Sequence, residues 1–241
     1  MKTFLIVVFF SCIRFAVHAQ NEFHFDDDLS YATVSDTDGF VNIRMSPNKT
    51  SSVIGKIYNY NAFSCEPSKE NWWKVLVIDY NGKNKSQWVE GYVYKSRIIL
   101  LKKWTTIKAQ NVHLDSCVFN KDSLTVTIKK GRFNPKTHKL YYEANELVYI
   151  DGKVFWGTDG KIPKEKIEGL KITIAKKLIK VPVNAFNDLY EPWFKTLGVC
   201  YGPGNTLYIS MLNSDGAGGY IVIWTIKNNK FYKRYIDDSE E

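Results

Sequence analysis

The chain has few of the residues that most often carry chemistry, with 4 histidines and 4 cysteines among its 241 residues. No Cys-x-x-Cys spacing occurs, so a zinc ribbon or a thioredoxin-like redox centre has no support. A thiol nucleophile needs an imidazole beside it, yet no histidine follows Cys200 and only His138 follows Cys117. A Gly-x-Ser-x-Gly elbow is also missing. The glycine-rich run from Asp215 to Gly219 leads into a strand-like segment, so no helix N-terminus is available there to hold a phosphate or a dinucleotide. These absences give the expectation of no catalytic residues, no metal and no cofactor.

Long apolar runs are scarce too. The one at Phe4 to Phe10 is far short of the roughly twenty residues that cross a bilayer as a helix. It follows Met1-Lys2-Thr3 and precedes Val17-His18-Ala19, the layout of an export signal cleaved after Ala19. A competing reading makes Cys12 a lipidated cysteine and the protein membrane-tethered. The mature chain is expected to be periplasmic or secreted, without a transmembrane segment. Loss of Lys2 and Arg14 with the signal lowers the formal charge from +8 to +6. In an exported protein a basic surface fits anionic wall polymers, lipid headgroups or an acidic protein better than nucleic acid, and solubility alone also accounts for it. Export permits disulfides, and Cys117 with Cys200 is the expected pair because both fall in the second half; Cys65 reads as a free, buried thiol.

What is abundant is aromatic: 15% Phe, Trp and Tyr, including 15 Tyr and 7 Trp, which favours strands over helices. After residues 20–30, a mobile leader carrying Asp26-Asp27-Asp28, the segment Phe40 to Met45 alternates with period two. Polar turn residues from Ser46 to Ser52 lead to Val53-Ile54-Gly55. Asn42-Ile43-Arg44, Pro47 and Ile54-Gly55 resemble the opening of a bacterial SH3 domain, and the resemblance continues through Trp72-Trp73-Lys74-Val75 and Gly91-Tyr92-Val93. It implies an SH3-like barrel over residues 31–103. In Trp72 to Tyr80 both faces carry apolar residues, and Trp73, Val75 and Val77 are expected to point inward. Asn81-Gly82 reads as the turn that follows. Tyr58, Tyr60, Trp72, Trp88 and Tyr92 are the candidates for an aromatic binding groove.

Residues 104–241 are expected to form a second β-rich domain with one or two short helices, at Pro163 to Glu168 and at Asn184 to Tyr190. Leu124 to Lys130 alternates as a half-buried strand. Leu140 to Ile150 reads as a strand returning through Asp151-Gly152 into Val154-Phe155-Trp156. Leu170 to Ile174 with Leu178 to Val181, and Thr206 to Met211 with Gly219 to Ile226, read as hairpins. The stretches Trp156-Gly157-Thr158-Asp159-Gly160, Asp188-Leu189-Tyr190-Glu191-Pro192 and Ser214 to Tyr220 with Trp224 are similar to exported bacterial β domains of uncertain function. Three glycines in the loop after Ser214 make Asp215, Gly216 and Gly218 binding candidates, on the reasoning that a partner must approach closely or the backbone must turn left-handed.

Bacterial SH3 domains often precede a cysteine peptidase that cuts wall peptides, and those peptidases read Asp-Cys-Ser-Gly at the nucleophile. Here Cys117 stands in Asp115-Ser116-Cys117-Val118. The expected function is therefore an exported, non-enzymatic binding protein whose partner is a cell-wall fragment, peptide or glycan, or a wall-acting protein. The alternatives are an inhibitor or immunity protein acting on a wall hydrolase through the glycine-rich loop, and a secreted hydrolase with an unrecognised second domain.

Overall fold

A computed structural model describes residues 30–80, 86–214 and 216–238. The expected signal with Cys12, nearly all of the expected leader, the expected turn at Asn81-Gly82, and Asp215 lie outside the described residues. The protein is mainly β, built from antiparallel sheets, and its helical segments are six 3-10 turns of three residues each among the described residues.

The first sheet uses β1 (Ser30–Thr33), β2 (Phe40–Arg44), β3 (Val53–Tyr58), β4 (Phe63–Glu66), β5 (Trp72–Tyr80), β6 (Ser86–Tyr94) and β7 (Ile99–Leu100), in the order β3-β2-β6-β5-β4-β1-β7. It curls around one core: Ile57 of β3 and Leu100 of β7, from opposite ends of the order, share a cluster with Ile43, Val75 and Val93. Among the described residues no ladder joins β3 to β7, so the sheet does not close into the barrel expected from the sequence. Val75 is buried in this core and Trp73 and Val77 pack against it, the inward face expected from the sequence.

The remaining strands are β8 (Thr106–Ile107), β9 (Ala109–Val112), β10 (Ser116–Lys121), β11 (Leu124–Arg132), β12 (Leu140–Glu143), β13 (Glu146–Ile150), β14 (Glu165–Ile174), β15 (Lys177–Ile179), β16 (Gly198–Gly202), β17 (Thr206–Asn213), β18 (Tyr220–Lys227) and β19 (Lys230–Asp237). They make an outer sheet, β15-β14-β11-β10-β9, a middle sheet, β19-β18-β17-β16-β8, and the hairpin β12-β13. Outer and middle sheets enclose the largest core, with Phe119, Val126, Ile128 and Ile172 facing Leu207, Ile209, Val222 and Trp224. The other face of the middle sheet is covered by the first sheet. Cys200, Tyr208, Ile221, Ile223 and Tyr235 pack there on Tyr31, Ala62, Ile78 and Leu101, with Leu76 alongside. The result is three layers. The outward face of β5 is apolar at Leu76 and Ile78 for this reason, being a second buried face at that end of the strand.

A buried polar seam fixes how these layers meet. Tyr31 Oη and Tyr235 Oη donate to Asp237 Oδ2 at 3.1 and 3.2 Å, and Ser64 N donates to Tyr235 Oη at 3.2 Å. Tyr208 Oη lies 2.9 Å from Thr33 Oγ1 and 3.1 Å from the Tyr60 carbonyl oxygen. Such groups are costly to bury unless paired, so the seam selects one docking geometry.

Four sequence expectations are corrected. Pro163 to Glu168 is not helical, because β14 starts at Glu165 and runs in register with β11. Asn184 to Tyr190 makes only the turn Val183–Ala185, since Asp188 is drawn out to a two-pronged pair with Arg234 and Leu189 bridges to Trp156. Leu140 to Ile150 is a hairpin and not one strand, with Ala144 and Asn145 both left-handed at φ 47° and 72°. Trp156 pairs with Leu189 in an isolated parallel bridge, so Val154-Phe155-Trp156 does not return as a strand.

The expected Cys117–Cys200 disulfide is likewise absent. Cys65, Cys117 and Cys200 are free and buried. Cys117 belongs to the core between outer and middle sheets, Cys200 to the core between middle and first sheets, so the middle sheet stands between the two thiols. Burial pushes the thiol of Cys117 up to about 11 and those of Cys65 and Cys200 up to about 12, which keeps all three protonated and inert at neutral pH.

Candidate functional site

Two concave regions gather the residues of interest, one on each module. On the first module, Pro47, Trp72 and Tyr94 line two adjoining recesses of about 720 and 840 Å³ and so form the wall between them. Trp72 and Tyr94 are cross-strand partners on the outward face of β5 and β6, their rings edge to face at 5.4 Å. The same face that is buried at Leu76 and Ile78 is open here. Gly91 lets β2 pair with β6 beside this face, because a Cβ there would lie 2.6 Å from the Arg44 carbonyl oxygen and push the two strands apart.

The two recesses carry opposite charge. The first holds Arg44, Lys49 and Arg97 against Asp38 alone. Arg44 is fixed by donating from Nη1 to the Ser51 carbonyl at 2.6 Å, and Arg97 by Asp36 at 2.7 Å. The second holds Glu66 and Glu70 with Lys74. Lys74 lies 3.2 Å from Glu90 and 3.5 Å from Glu66, and the hydrogen bond to Glu90, with the charge of Glu66, raises its pKa and keeps it cationic.

Of the five aromatic candidates, the structure brings Trp72 and Tyr92 to this groove. Tyr58 stands beside Phe40 on the edge strand β3, with ring centroids 6.2 Å apart, and does not line either recess. Trp88 is 64% exposed further along β6 and is also outside them. Tyr60 is removed from any groove role: Lys227 Nζ sits 3.6 Å over its ring and Gly204 closes against it, so it serves the contact between modules. Tyr94, Pro47 and Arg44 were not among the candidates. Arg44 and Pro47 stand in the motif, and Tyr94 follows from period two once Tyr92 is placed outward.

On the second module, the three motif stretches converge at one corner. Trp156 N donates to the Asp188 carbonyl at 3.0 Å and Tyr190 N to the Trp156 carbonyl at 2.9 Å. Tyr220 Oη donates to the Tyr190 carbonyl at 2.9 Å and Trp224 Nε1 to the Ala185 carbonyl at 2.7 Å. Gly157 is left-handed at φ 119°, and a Cβ there would lie 2.4 Å from the Tyr190 carbonyl oxygen. Around this corner lies a cleft of about 650 Å³.

The glycine-rich loop belongs to this corner. Gly216–Gly218 is a 3-10 turn, and a Cβ on Gly218 would lie 2.8 Å from the Thr158 Cα. The close approach inferred for the loop is therefore made by its own chain and not by a partner. The reading of Gly216 and Gly218 as the tip of a probe entering another protein loses its particular support, and Asp215 lies outside the described residues.

Glu191 organises the cleft. Its Oε1 accepts from the backbone N–H groups of Lys164 and Glu165, its own N–H donates to the Glu165 carbonyl at 3.1 Å, and its carbonyl accepts from Ser214 N at 3.3 Å. It is left-handed at φ 48° although it precedes Pro192, a position that disfavours compact backbone angles, and Ser214 is left-handed at φ 61°. Such conformations cost of order 1–3 kcal/mol each and persist where the surroundings over-determine them.

A third feature is a His-carboxylate pair. His138 Nδ1 lies 2.7 Å from Asp151 Oδ2, its ring stacks on Phe133 at 4.7 Å, and this hydrogen bond lowers the Asp151 pKa. No group of three His, Cys, Asp or Glu side chains among the described residues is arranged to hold a metal.

No protein-family model, no curated protein and no solved structure matches this chain. What the fold and sites define is a three-layered, mainly β protein with an open aromatic groove on one module and a polar cleft on the other.

Proposed function

We propose that this is an exported binding protein whose first module is an SH3-like barrel of the bacterial type, and that the Trp72–Tyr94 groove takes a short extended peptide of the cell wall. The observation that carries this reading is the polarity of the groove. An aromatic wall separates a recess where Arg44, Lys49 and Arg97 outnumber Asp38 from one where Glu66 and Glu70 outnumber Lys74. A peptide with a free carboxylate and a free amine, as a wall stem peptide has, finds a charge of opposite sign for each end across a rigid aromatic surface. The aromatic wall supplies contact area at little entropic cost, while the charges set direction.

The test is retention of the mature protein on purified wall sacculi, alongside mixing with wall hydrolases. Retention without digestion is expected, and Trp72→Ala should reduce it by about tenfold or more, a loss of about 1.4 kcal/mol. Trp72 is only half-buried and outside the core, so the variant should melt with the wild type. Release of wall fragments would make the protein an enzyme, suppression of a hydrolase would make it an inhibitor, and either result, or retention indifferent to Trp72, would overturn this reading.

A further inference from the structure

The corner cleft of the second module is a built site that the groove reading does not use. Its one large aromatic is Trp193, 45% exposed on a backbone that is fully engaged. Trp193 N donates to Asn213 Oδ1 at 3.1 Å, the Trp193 carbonyl accepts from Thr196 Oγ1 at 2.8 Å, and Pro192 before it is buried. The two strained residues Glu191 and Ser214 are neighbours of Trp193 in the cleft and are bonded to each other. Part of the lining carries little or no side chain, at Gly157, Ala217 and Gly218, which leaves the space beside the ring open.

The charges of the lining decide what kind of ligand fits. Lys130, Lys161 and Lys164 are matched by Asp159, Glu165 and Glu191, and Lys130 is already tied to Glu165 at 2.6 Å. The lining is neutral overall, which argues against a phosphate, a carboxylate or a polycation as occupant. It is nonetheless dense in hydrogen-bonding groups, including the Ser214 hydroxyl and the Thr158 hydroxyl, which donates to the Lys161 carbonyl at 2.6 Å and can still accept. An exposed aromatic face beside carboxylates, an ammonium group and hydroxyls suits an uncharged, many-hydroxyl ring: its C–H face lies on the indole and its hydroxyl edge meets acceptors and donors together. A volume of about 650 Å³ lies within the range of about 300–1,000 Å³ typical of small-ligand sites.

We propose that this cleft binds an uncharged saccharide of one or a few rings, stacked on Trp193 and hydrogen-bonded to Glu191, Glu165 and Ser214. The site is separate from the peptide groove, so the protein carries two ligand classes on two modules, and each can fail without the other.

The experiment titrates the mature protein with tri-N-acetylchitotriose, cellotriose and maltotriose while following the indole N–H resonances. The Trp193 signal is assigned by its disappearance in Trp193→Ala. At least one of the three sugars should shift that signal with a dissociation constant of about a millimolar or tighter, and Trp193→Ala should weaken binding by about tenfold or more. Trp193→Tyr, which keeps a ring in place, should bind within a few fold of wild type and guards against a variant that fails to fold. Trp72→Ala should bind like wild type. No shift at Trp193 with any of the three up to about 10 mM, or equal affinity in Trp193→Ala, would overturn the assignment.

Discussion

The middle and outer sheets of the second module have the same size and the same antiparallel build, yet their sequences look different because their surroundings differ. Along β11 of the outer sheet, Leu124, Val126 and Ile128 are buried while Thr125, Thr127 and Lys129 are not, since only one face meets a core. Along β17 and β18 of the middle sheet, nearly every residue is buried. Leu207, Ile209, Val222 and Trp224 face the outer sheet, while Tyr208, Ile221 and Ile223 face the first module. Continuous apolar composition in an antiparallel strand thus signals a layer on each side, and here the second layer is another module. The first sheet is not a bead on a string, because it covers one face of the same middle sheet whose other face forms the largest core.

The largest effects should come from adjacent residues of β18 that look opposite ways. Trp224→Ala removes a fully buried indole from the core between middle and outer sheets and should cost about 3–5 kcal/mol. Ile223→Ala opens the contact with the first module and should cost about 2–5 kcal/mol. Urea unfolding followed by tryptophan fluorescence and by far-ultraviolet circular dichroism checks both. If the layers form one cooperative unit, the two probes report one coincident transition in each variant. Separation into two transitions in Ile223→Ala, with little change in the more stable one, would show that the modules fold independently and break the comparison.

A smaller effect sharpens it. Tyr235→Phe keeps the ring that packs on Tyr31 but removes the hydroxyl shared by Ser64 and Asp237. Leaving a buried donor and acceptor short of a partner should cost about 1–3 kcal/mol, read as a shift of the urea midpoint with an unchanged slope. A midpoint within error of wild type would mean that water replaces the hydroxyl and that the seam is not selective.

Elements whose form follows from local pattern and turn residues are legible in the sequence, and those whose form depends on a distant partner are not. The alternation of β11 and the hairpins β14–β15 and β17–β18 follow from local pattern and turn residues. The inward face of β5 is the expected one, Trp73, Val75 and Val77, but the apolar character of its outer face is explained only by the middle sheet, over a hundred residues downstream. Asn184 to Tyr190 has helix-like composition, and what overrides it is Arg234, whose two nitrogens hold Asp188. Tyr60 looked like a groove residue because nothing local reveals Lys227 above its ring. The same applies to the sites. Trp72 and Tyr92 were visible as outward aromatics, and the three motif stretches as unusual runs. That the stretches meet, and that Gly218 is small because Thr158 is there, is tertiary information with no local signature.

The smallest effect belongs to the open face of the outer sheet. Thr127 sits on β11 between Val118 of β10 and Lys171 of β14, its side chain turned away from the core that holds Val126 and Ile128. Thr127→Ala removes a β-branched side chain from a half-exposed position, where the loss is confined to cross-strand contacts and strand preference. It should cost less than about 1 kcal/mol, several times less than Ile223→Ala, although both residues lie in interior strands of five-stranded sheets. Chemical unfolding of the two variants side by side decides the point. A Thr127→Ala cost approaching that of Ile223→Ala would mean that the outer face is itself covered in solution. The outer sheet would then be a second middle layer, and size-exclusion chromatography with light scattering should find a second copy of the chain upon it.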